Sequence, residues 1–459
     1  MHIRFGTDGW RAVIAADFTF ENVARVTRGV VEWLKEQGGV QGGLVVGYDR
    51  RFLSREFAEC AAETAAGSGV DAFLFDRPAP TPVVSWQVRE RRAAAGIMIT
   101  ASHNPPQYNG LKVKESFGGP ARPHSTRRIE ELVAAGAGKA LSASRGRVTR
   151  FDPRPSYLAQ LSSLVDLEGI RRSGVRVACD PMHGAAAGWL GELLPGMTEI
   201  HGEENPGFGG QPPEPTAESL RELGELVRVG GFSAGLAFDG DADRIGAVDG
   251  DGEFFSPHAI FAVALRHLHE ERGLRGGVVK SVSSSVMIDL LCERYGLPLH
   301  ETPIGFKHLG ELMLRHDILI GGEESGGLGV KGHLPERDGI LMGLILLEAM
   351  ARSGKGLGEL LAECRRHTGE FFYRRIDLPA DAGTAERLRA SLAPGRVLEV
   401  AGKRVLGGNF LDGFKYLLED RSWLLIRPSG TEPLLRLYAE GCSMAEVEEL
   451  LAAGRRLAE

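Results

Sequence analysis

The sequence predicts an α/β protein of several domains: three similar α/β domains with mixed or largely parallel sheets, then a smaller α+β domain at the C-terminal end. Three observations carry this expectation. At 459 residues the chain exceeds what one hydrophobic core organises. One local arrangement, a buried apolar run that ends in a polar turn and feeds a helical pattern, occurs three times, more than 100 residues apart. Beyond about Phe371 the texture changes to closely spaced strand-like runs and a terminal helix.

The repeats follow in chain order. Leu44–Asp49 (LVVGYD) precedes a helical pattern that reaches Ala66. Val175–Asp180 (VRVACD) leads into a turn with proline and glycine, then a helical pattern through Leu194. Val278–Val282 (VVKSV) ends in serines, then a helical pattern through Tyr295. Apolar runs without alternation are buried on both faces, which suits parallel strands covered by helices. Their spacing is too long for a short-period solenoid. Toward the C-terminus, Arg404–Leu406, Trp423–Arg427 and Leu434–Glu440 read as strands, and Ser443-x-x-Glu446 is a capping box that starts the last helix. Turn-rich junctions at Arg145–Pro155, Asp249–Gly252 and Gly369–Arg375 divide the chain into domains at 1–150, 151–251, 252–370 and 371–459.

Composition narrows the function. The chain is 43% hydrophobic and 25% charged, with a formal net charge of -7, so it lacks the basic footprint of a nucleic-acid binder. An anionic ligand must therefore be held by a few placed cations. Five scattered cysteines without CxxC spacing predict neither a disulfide framework nor a zinc site, and fit a reducing compartment. The start, MHIRFGTDGWR, lacks the apolar core of a signal peptide. The longest apolar stretch, around Ile340–Met350, contains Gly343 and Glu348 and is too short to span a bilayer. A cytoplasmic protein without membrane partner is expected.

Four segments could carry chemistry. In Gly96–Pro105 (GIMITASHNP) an apolar strand ends at Thr100 and turns through Ser102 and His103. Turn formers explain such a segment, but it also presents a hydroxyl at a strand's carboxyl end, where open α/β sheets bind ligands. Asn109-Gly110-Leu111-Lys112 brings an amine back to that loop as acid/base or phosphate contact. Asp239-Gly240-Asp241-Ala242-Asp243-Arg244 follows the strand Leu236–Phe238. Its alternating carboxylates repel one another unless a cation sits between them, and an all-oxygen set suits Mg²⁺. A calcium EF-hand fails, because Arg244 stands where glycine is needed and Gly250 where glutamate is needed. Asp249–Gly252 reads as a hairpin turn.

Gly321–Gly327 (GGEESGG) sets Glu323 and Ser325 two apart, so that both project from an extended loop toward adjacent hydroxyls. Gly327-x-Gly329-x-x-Gly332 matches a dinucleotide fingerprint, yet the next helical pattern begins only near Asp338, so the match is rejected. Arg427-Pro428-Ser429-Gly430-Thr431-Glu432-Pro433 offers a guanidinium, hydroxyls and backbone N–H groups as a phosphate cradle. Arg11 in FGTDGWR and Lys307 in PIGFK are further cations beside glycine-containing turns.

Taken in order, FGTDGWR, TASHNP with NGLK, DGDADR, PIGFK, GGEESGG with HLPERDG, DGFK and RPSGTEP resemble the α-D-phosphohexomutase superfamily over the whole chain. The resemblance implies four domains around a central cleft. It implies that Ser102 carries the phosphoryl group and that Asp239, Asp241 and Asp243 bind Mg²⁺, which also contacts that phosphate. Glu323 and Ser325 would bind sugar hydroxyls. Arg427, Ser429, Gly430 and Thr431 would hold the phosphate that is not transferred, within a cationic shell of Arg11, Lys112, Arg244, Lys307 and Arg337. Some relatives carry histidine after the Ser-Gly pair of the sugar loop; Gly327 stands there, so a proton-transfer or binding role of that histidine is either absent or supplied by His103, Lys112 or His333.

The implied reaction moves a phosphoryl group between C1 and C6 of a hexose phosphate, from glucose 1-phosphate to glucose 6-phosphate. It passes through phosphorylated Ser102 and a bisphosphorylated sugar, with glucose 1,6-bisphosphate as primer. The Glu-Glu-Ser loop resembles phosphoglucomutase versions, with a phosphomannomutase or dual-specificity enzyme as the alternative. A sugar phosphatase and a non-catalytic sugar-phosphate-binding protein are the rivals from other classes. Small hexose phosphates are the expected partners of a monomer or homodimer.

Overall fold

A computed structural model describes residues 3–6, 8–136, 144–381, 383–429 and 434–458. It contains four sheets. The first runs in the order Trp10–Val13, Tyr108–Glu115, Ala95–Ile99, Leu44–Tyr48, Ala72–Phe75, Val148–Phe151. The second runs Phe254–Phe255, Ile245–Val248, Ala234–Phe238, Val177–Asp180, Thr198–Glu199, and the third Leu328–Val330, Ile318–Gly322, Gly277–Ser281, Leu299–Thr302.

The three share one topology. The strand that opens each sequence repeat lies inside the sheet with parallel partners on both sides. The later of those partners, Ala95–Ile99, Ala234–Phe238 or Ile318–Gly322, then pairs antiparallel with the strand that follows it. Mixed sheets are the result. Every residue of Leu44–Tyr48, Ala234–Phe238 and Ile318–Gly322 is buried, which is why these strands read as unbroken apolar runs. Helices cover them: Phe20–Glu36 buries Val23, Val26, Val30 and Leu34 at helical spacing and is N-capped by the Thr19 hydroxyl.

Two local expectations change. After Val177–Asp180 the helix shrinks to Trp189–Leu193. Met182 and His183 adopt positive φ, and the Ala185 N–H bonds Gly240 O (2.9 Å), so residues 181–188 serve as a packed loop instead. The second sheet also runs past the expected junction at 251–252. Asp249–Gly252 is a hairpin turn whose Asp249 Oδ1 accepts the Asp251 and Glu253 N–H groups, and it returns Phe254–Phe255 to the sheet.

The fourth sheet is antiparallel throughout, Phe372–Pro379, Leu434–Gly441, Trp423–Pro428, Phe414–Leu418, Lys403–Asn409, Glu399–Val400, and is covered by the helix Met444–Ala458. Ser443 caps that helix through the Glu446 N–H, while the Glu446 carboxylate reaches back to the Cys442 N–H, one residue earlier than a capping box requires.

The segment His333–Asp338 fastens the first three domains together. Buried Glu336 accepts from Lys114 and Ser85 of the first domain. Asp338 accepts from Tyr157 at 2.9 Å and caps the helix Gly339–Ser353 at the Leu341 N–H. The fourth domain rests on the third: Trp423, Leu425 and Tyr438 pack on Val282, and Glu440 accepts the Val286 N–H (2.8 Å). All five cysteines are free. No helix among the described residues is long and apolar enough to cross a membrane.

Candidate active site

Each α/β domain contributes the same slot, the connection between a parallel strand and the antiparallel strand that directly follows it. Ser102 occupies the first, the three aspartates the second, and Glu323 the third.

Ser102 is fully buried and left-handed (φ 54°), a conformation that non-glycine residues hold only when their surroundings impose it. Its N–H donates to Thr100 Oγ1 (2.9 Å) and its hydroxyl to Asp239 Oδ2 (2.7 Å), with His103 Nδ1 at 3.4 Å. The metal-loop backbone comes equally close: a Cβ on Gly240 would lie 2.5 Å from Ser102 O. Burial, then the charges of Arg244, Arg11, Lys112 and Arg51, hold His103 well below the usual histidine range, so its ring is neutral. Arg11 donates to Asn104 Oδ1 of the same loop (2.5 Å).

Asp239, Asp241 and Asp243 are completely buried, and each offers an oxygen within 4.8 Å of the others'. Lys112 reaches Asp243 Oδ2 (2.7 Å), Asp241 Oδ2 (2.8 Å) and Asp8 Oδ2 (2.9 Å). Arg337 Nη2 lies 2.5 Å from both Asp8 Oδ2 and Asp243 Oδ2. The Thr81 hydroxyl, at the start of the helix Thr81–Arg91, donates to Asp241 Oδ2. These contacts use one oxygen of Asp241 and of Asp243; Oδ1 of each is buried with no hydrogen-bond partner. Two orphaned carboxylate oxygens beside Asp239 are a donor set that fits a hard divalent cation. Burial and the neighbouring Asp241 and Asp243 raise Asp239 well above the usual carboxylate range. For Asp241, burial is opposed and outweighed by Lys112, Thr81 and Arg337, which bring it below that range. Burial likewise works against the Lys112 ammonium, but Asp241, Asp243 and Asp8 prevail and keep it protonated.

Glu323 follows Ile318–Gly322 in a tight turn, closed by Glu323 N–H to Gly327 O (3.0 Å) and Gly326 N–H to Glu323 O (3.2 Å), not in the expected extended loop. Gly326, with φ +89°, brings the turn against the metal-loop domain, where its carbonyl accepts the Ile245 N–H (3.1 Å). Glu323 Oε1 accepts the Gly305 N–H of the PIGFK loop (2.8 Å), and Oε2 faces Arg337 Nη1 at 3.7 Å. Burial raises Glu323 to about 7 against the opposing charge of Arg337. Ser325 is half-buried in the same turn. The Arg337 stem fills the space that a side chain on Gly327 would need. His333 is spoken for elsewhere: its Nε2 pairs with Asp338 Oδ2 (2.9 Å) beside the Trp86 ring.

Asp412 joins the last two cations to this side. Its Oδ2 accepts the Ile304 N–H (2.9 Å) and pairs with Arg427 Nε (2.9 Å), which places Arg427 beside the loop that carries Lys307. Burial lowers Lys307 below the usual lysine range. Ser429 donates its N–H to Leu434 O (2.8 Å) at the end of the strand Trp423–Pro428. Gly430 and Thr431 lie outside the described residues. Arg244 binds Glu214 (3.3 Å) through Nη1, and its N–H donates to Asp239 Oδ1 (3.1 Å). Asp8, Thr81 and Arg51, a buried arginine behind the Ser102 loop, carry no signal of their own in the sequence; Asp8 alone lies inside one of its motifs, FGTDGWR.

Comparison with known proteins places the whole chain in one family. Models of phosphoglucomutase/phosphomannomutase α/β/α domains I, II and III match residues 2–139, 155–252 and 256–367, and that of the C-terminal domain matches 384–456. A phosphoglucomutase/phosphomannomutase of Thermococcus kodakarensis is 29% identical over 99% of this chain and 98% of its own. A phosphoglucosamine mutase of Moorella thermoacetica is 31% identical over 99% and 98%. A Thermus thermophilus structure provisionally described as a phosphomannomutase superposes with a TM-score of 0.87 at 37% identity, covering 100% of this chain and 99% of that one. The fold and the relatives define a phosphohexomutase, an isomerase that transfers a phosphoryl group within a hexose phosphate. Within that class, the chain belongs to the phosphoglucomutase/phosphomannomutase family.

Proposed function

We propose that this enzyme interconverts glucose 1-phosphate and glucose 6-phosphate through a phosphoryl group carried on Ser102. The observation that carries the reading is the Ser102 hydroxyl 2.7 Å from Asp239, beside the Oδ1 atoms of Asp241 and Asp243, which accept no hydrogen bond. Magnesium held by Asp239, Asp241 and Asp243 would supply positive charge to the phosphoryl oxygens. Arg427, Ser429, Gly430, Thr431 and Lys307 hold the sugar's own phosphate, Glu323 and Ser325 its hydroxyls. Phosphorylated Ser102 then gives its phosphoryl group to the free C1 or C6 hydroxyl: the P–O bond to Ser102 breaks as the bond to the sugar oxygen forms. The bisphosphate turns in the site and returns its other phosphate to Ser102, and a bisphosphorylated hexose primes unphosphorylated enzyme.

Proton transfer suits Glu323. A carboxyl raised to about 7 can take the hydroxyl proton and give it back near neutral pH. Lys112, paired with Asp8, Asp241 and Asp243, serves as a cation of the same site. Arg11, Arg244 and Arg337 complete the positive shell.

Relatives named phosphomannomutase and phosphoglucosamine mutase support a broader substrate range as the second reading. A kcat/KM comparison of glucose, mannose and glucosamine 1-phosphates, with Mg²⁺ and bisphosphate primer, decides between them; the glucose substrate is expected to lead. Ser102→Ala should abolish turnover and keep measurable binding. Full activity in that variant would refute the mechanism, and release of stoichiometric inorganic phosphate by the parent enzyme would favour a phosphatase.

A further inference from the structure

We infer that Arg51 is the positioning residue of the Ser102 loop, holding the phosphoryl-carrying hydroxyl in register with the carboxylate triad. The inference rests on the reading of Ser102 as the carrier. Arg51 lies in the turn after Leu44–Tyr48, some fifty residues upstream. Its side chain is buried, and all four terminal N–H groups point to carbonyls of one loop. Nη2 donates to Ser102 O (2.5 Å) and Asn104 O (2.7 Å), Nη1 to Pro105 O (3.0 Å) and Tyr108 O (3.1 Å).

The arginine is itself braced. Its Nε faces Asp49 Oδ2 at 3.3 Å, and Asp49 Oδ1 accepts the Arg51 N–H (2.9 Å) and the Ser54 hydroxyl (2.6 Å). The Phe208 ring of the second domain lies 4.9 Å from the guanidinium carbon. The held loop needs such a clamp. Pro105 and Pro106 have no N–H to tie it down, and Ser102 sits at φ 54°, which persists only when neighbouring contacts over-determine it. No peptide in the described chain is cis. A trans peptide whose Ser102 C=O faces Arg51 therefore turns the His103 N–H the opposite way. The clamp thus sets both the Ser102 backbone and the direction of the next donor.

Lysine cannot replace this residue. Its ammonium has three donors on a point charge, whereas four carbonyls shared between two nitrogens need the guanidinium fork. A hydroxyl displaced by about 1 Å from its partner group costs on the order of a hundredfold in rate.

The test compares Arg51→Lys and Arg51→Ala with the parent enzyme and Ser102→Ala, using glucose 1-phosphate, Mg²⁺ and bisphosphate primer. Arg51→Lys should keep its thermal transition and a KM within about threefold, while kcat falls about a hundredfold. In Arg51→Ala, millimolar guanidinium should restore turnover by about tenfold, and methylammonium should not. A folded Arg51→Lys with parental kcat overturns the assignment. So do equal losses that appear only in KM, or loss of the fold in both variants, which would make Arg51 a stability residue. Retained activity in Ser102→Ala would instead remove the reading of Ser102 and leave the Arg51 results to be judged against a different nucleophile.

Discussion

Glu323 is the residue whose electrostatics can be tested most directly. It is 4% exposed, and burial raises its carboxyl from 4.5 to about 7 in spite of Arg337. The folded protein therefore binds this proton more tightly than the unfolded chain does. The associated stability is fully present below pH 4.5 and is lost as pH rises through 7. At about 1.4 kcal/mol for each pH unit between the two values, ionising Glu323 costs the fold about 3 kcal/mol by pH 8. Glu323→Gln removes the ionisation and keeps an Oε1 acceptor for the Gly305 N–H. The variant should be more stable than the parent by about 3 kcal/mol at pH 8 and by under about 1 kcal/mol at pH 5. Apparent Tm at both pH values, in chelator and without sugar, reads the difference; a chelator is needed because a bound cation would favour the carboxylate. The same substitution should lower kcat by about 10²–10⁴-fold, since an amide cannot take the hydroxyl proton. A Tm difference that does not change between pH 5 and pH 8, or a variant less stable at pH 8, would show that Glu323 is ionised without penalty and is not poised for proton transfer.

Two other substitutions test how the loops are held. Thr81→Val removes the hydroxyl that occupies Asp241 Oδ2, freeing that carboxylate to rotate, and should weaken Mg²⁺ binding by about 10–100-fold in titration calorimetry; an unchanged Kd would mean that Lys112 alone orients Asp241. Gly326→Ala puts a side chain at φ +89° against the Ile245 carbonyl, so it should cost at least about 1–3 kcal/mol and raise KM; parental Tm and KM would show that the close approach is dispensable.

The fold was legible where local pattern and burial coincide. The buried runs at Leu44–Tyr48, Val177–Asp180 and Gly277–Ser281 are the central parallel strands, mostly apolar because helices cover them, with polar residues such as Asp180, Lys280 and Ser281 only toward their carboxyl ends. The helix after Asp180 was misjudged for a tertiary reason. Ala185–Ala187 suit a helix, but Pro181, Gly184 and Gly188 flank them, and the Ala185 N–H is taken by the Gly240 carbonyl of another loop. Hairpin closure at Asp249–Gly252 was visible as a turn, while the pairing of Phe254–Phe255 beyond it depends on a neighbour strand that no local pattern reports.

The site divides along the same line. The residues proposed to carry chemistry, such as Ser102 and the Asp239–Asp243 loop, stand in short segments whose composition is odd for a plain turn. Residues that position them act across the chain. Arg51 binds carbonyls about fifty residues later, Thr81 reaches Asp241 in another domain, and Asp8 spans Lys112 and Arg337, which are more than 200 residues apart. An arginine after an aspartate in a turn signals nothing about which carbonyls it will meet, because those oxygens belong to every residue type alike. The Oδ1 atoms of Asp241 and Asp243 lack hydrogen bonds for the same reason: Lys112, Arg337 and Thr81, from outside the aspartate loop, take the other oxygen of each. On the proposed reading, the carboxylates suit the ion, and the distant partners decide which of their oxygens stay free for it.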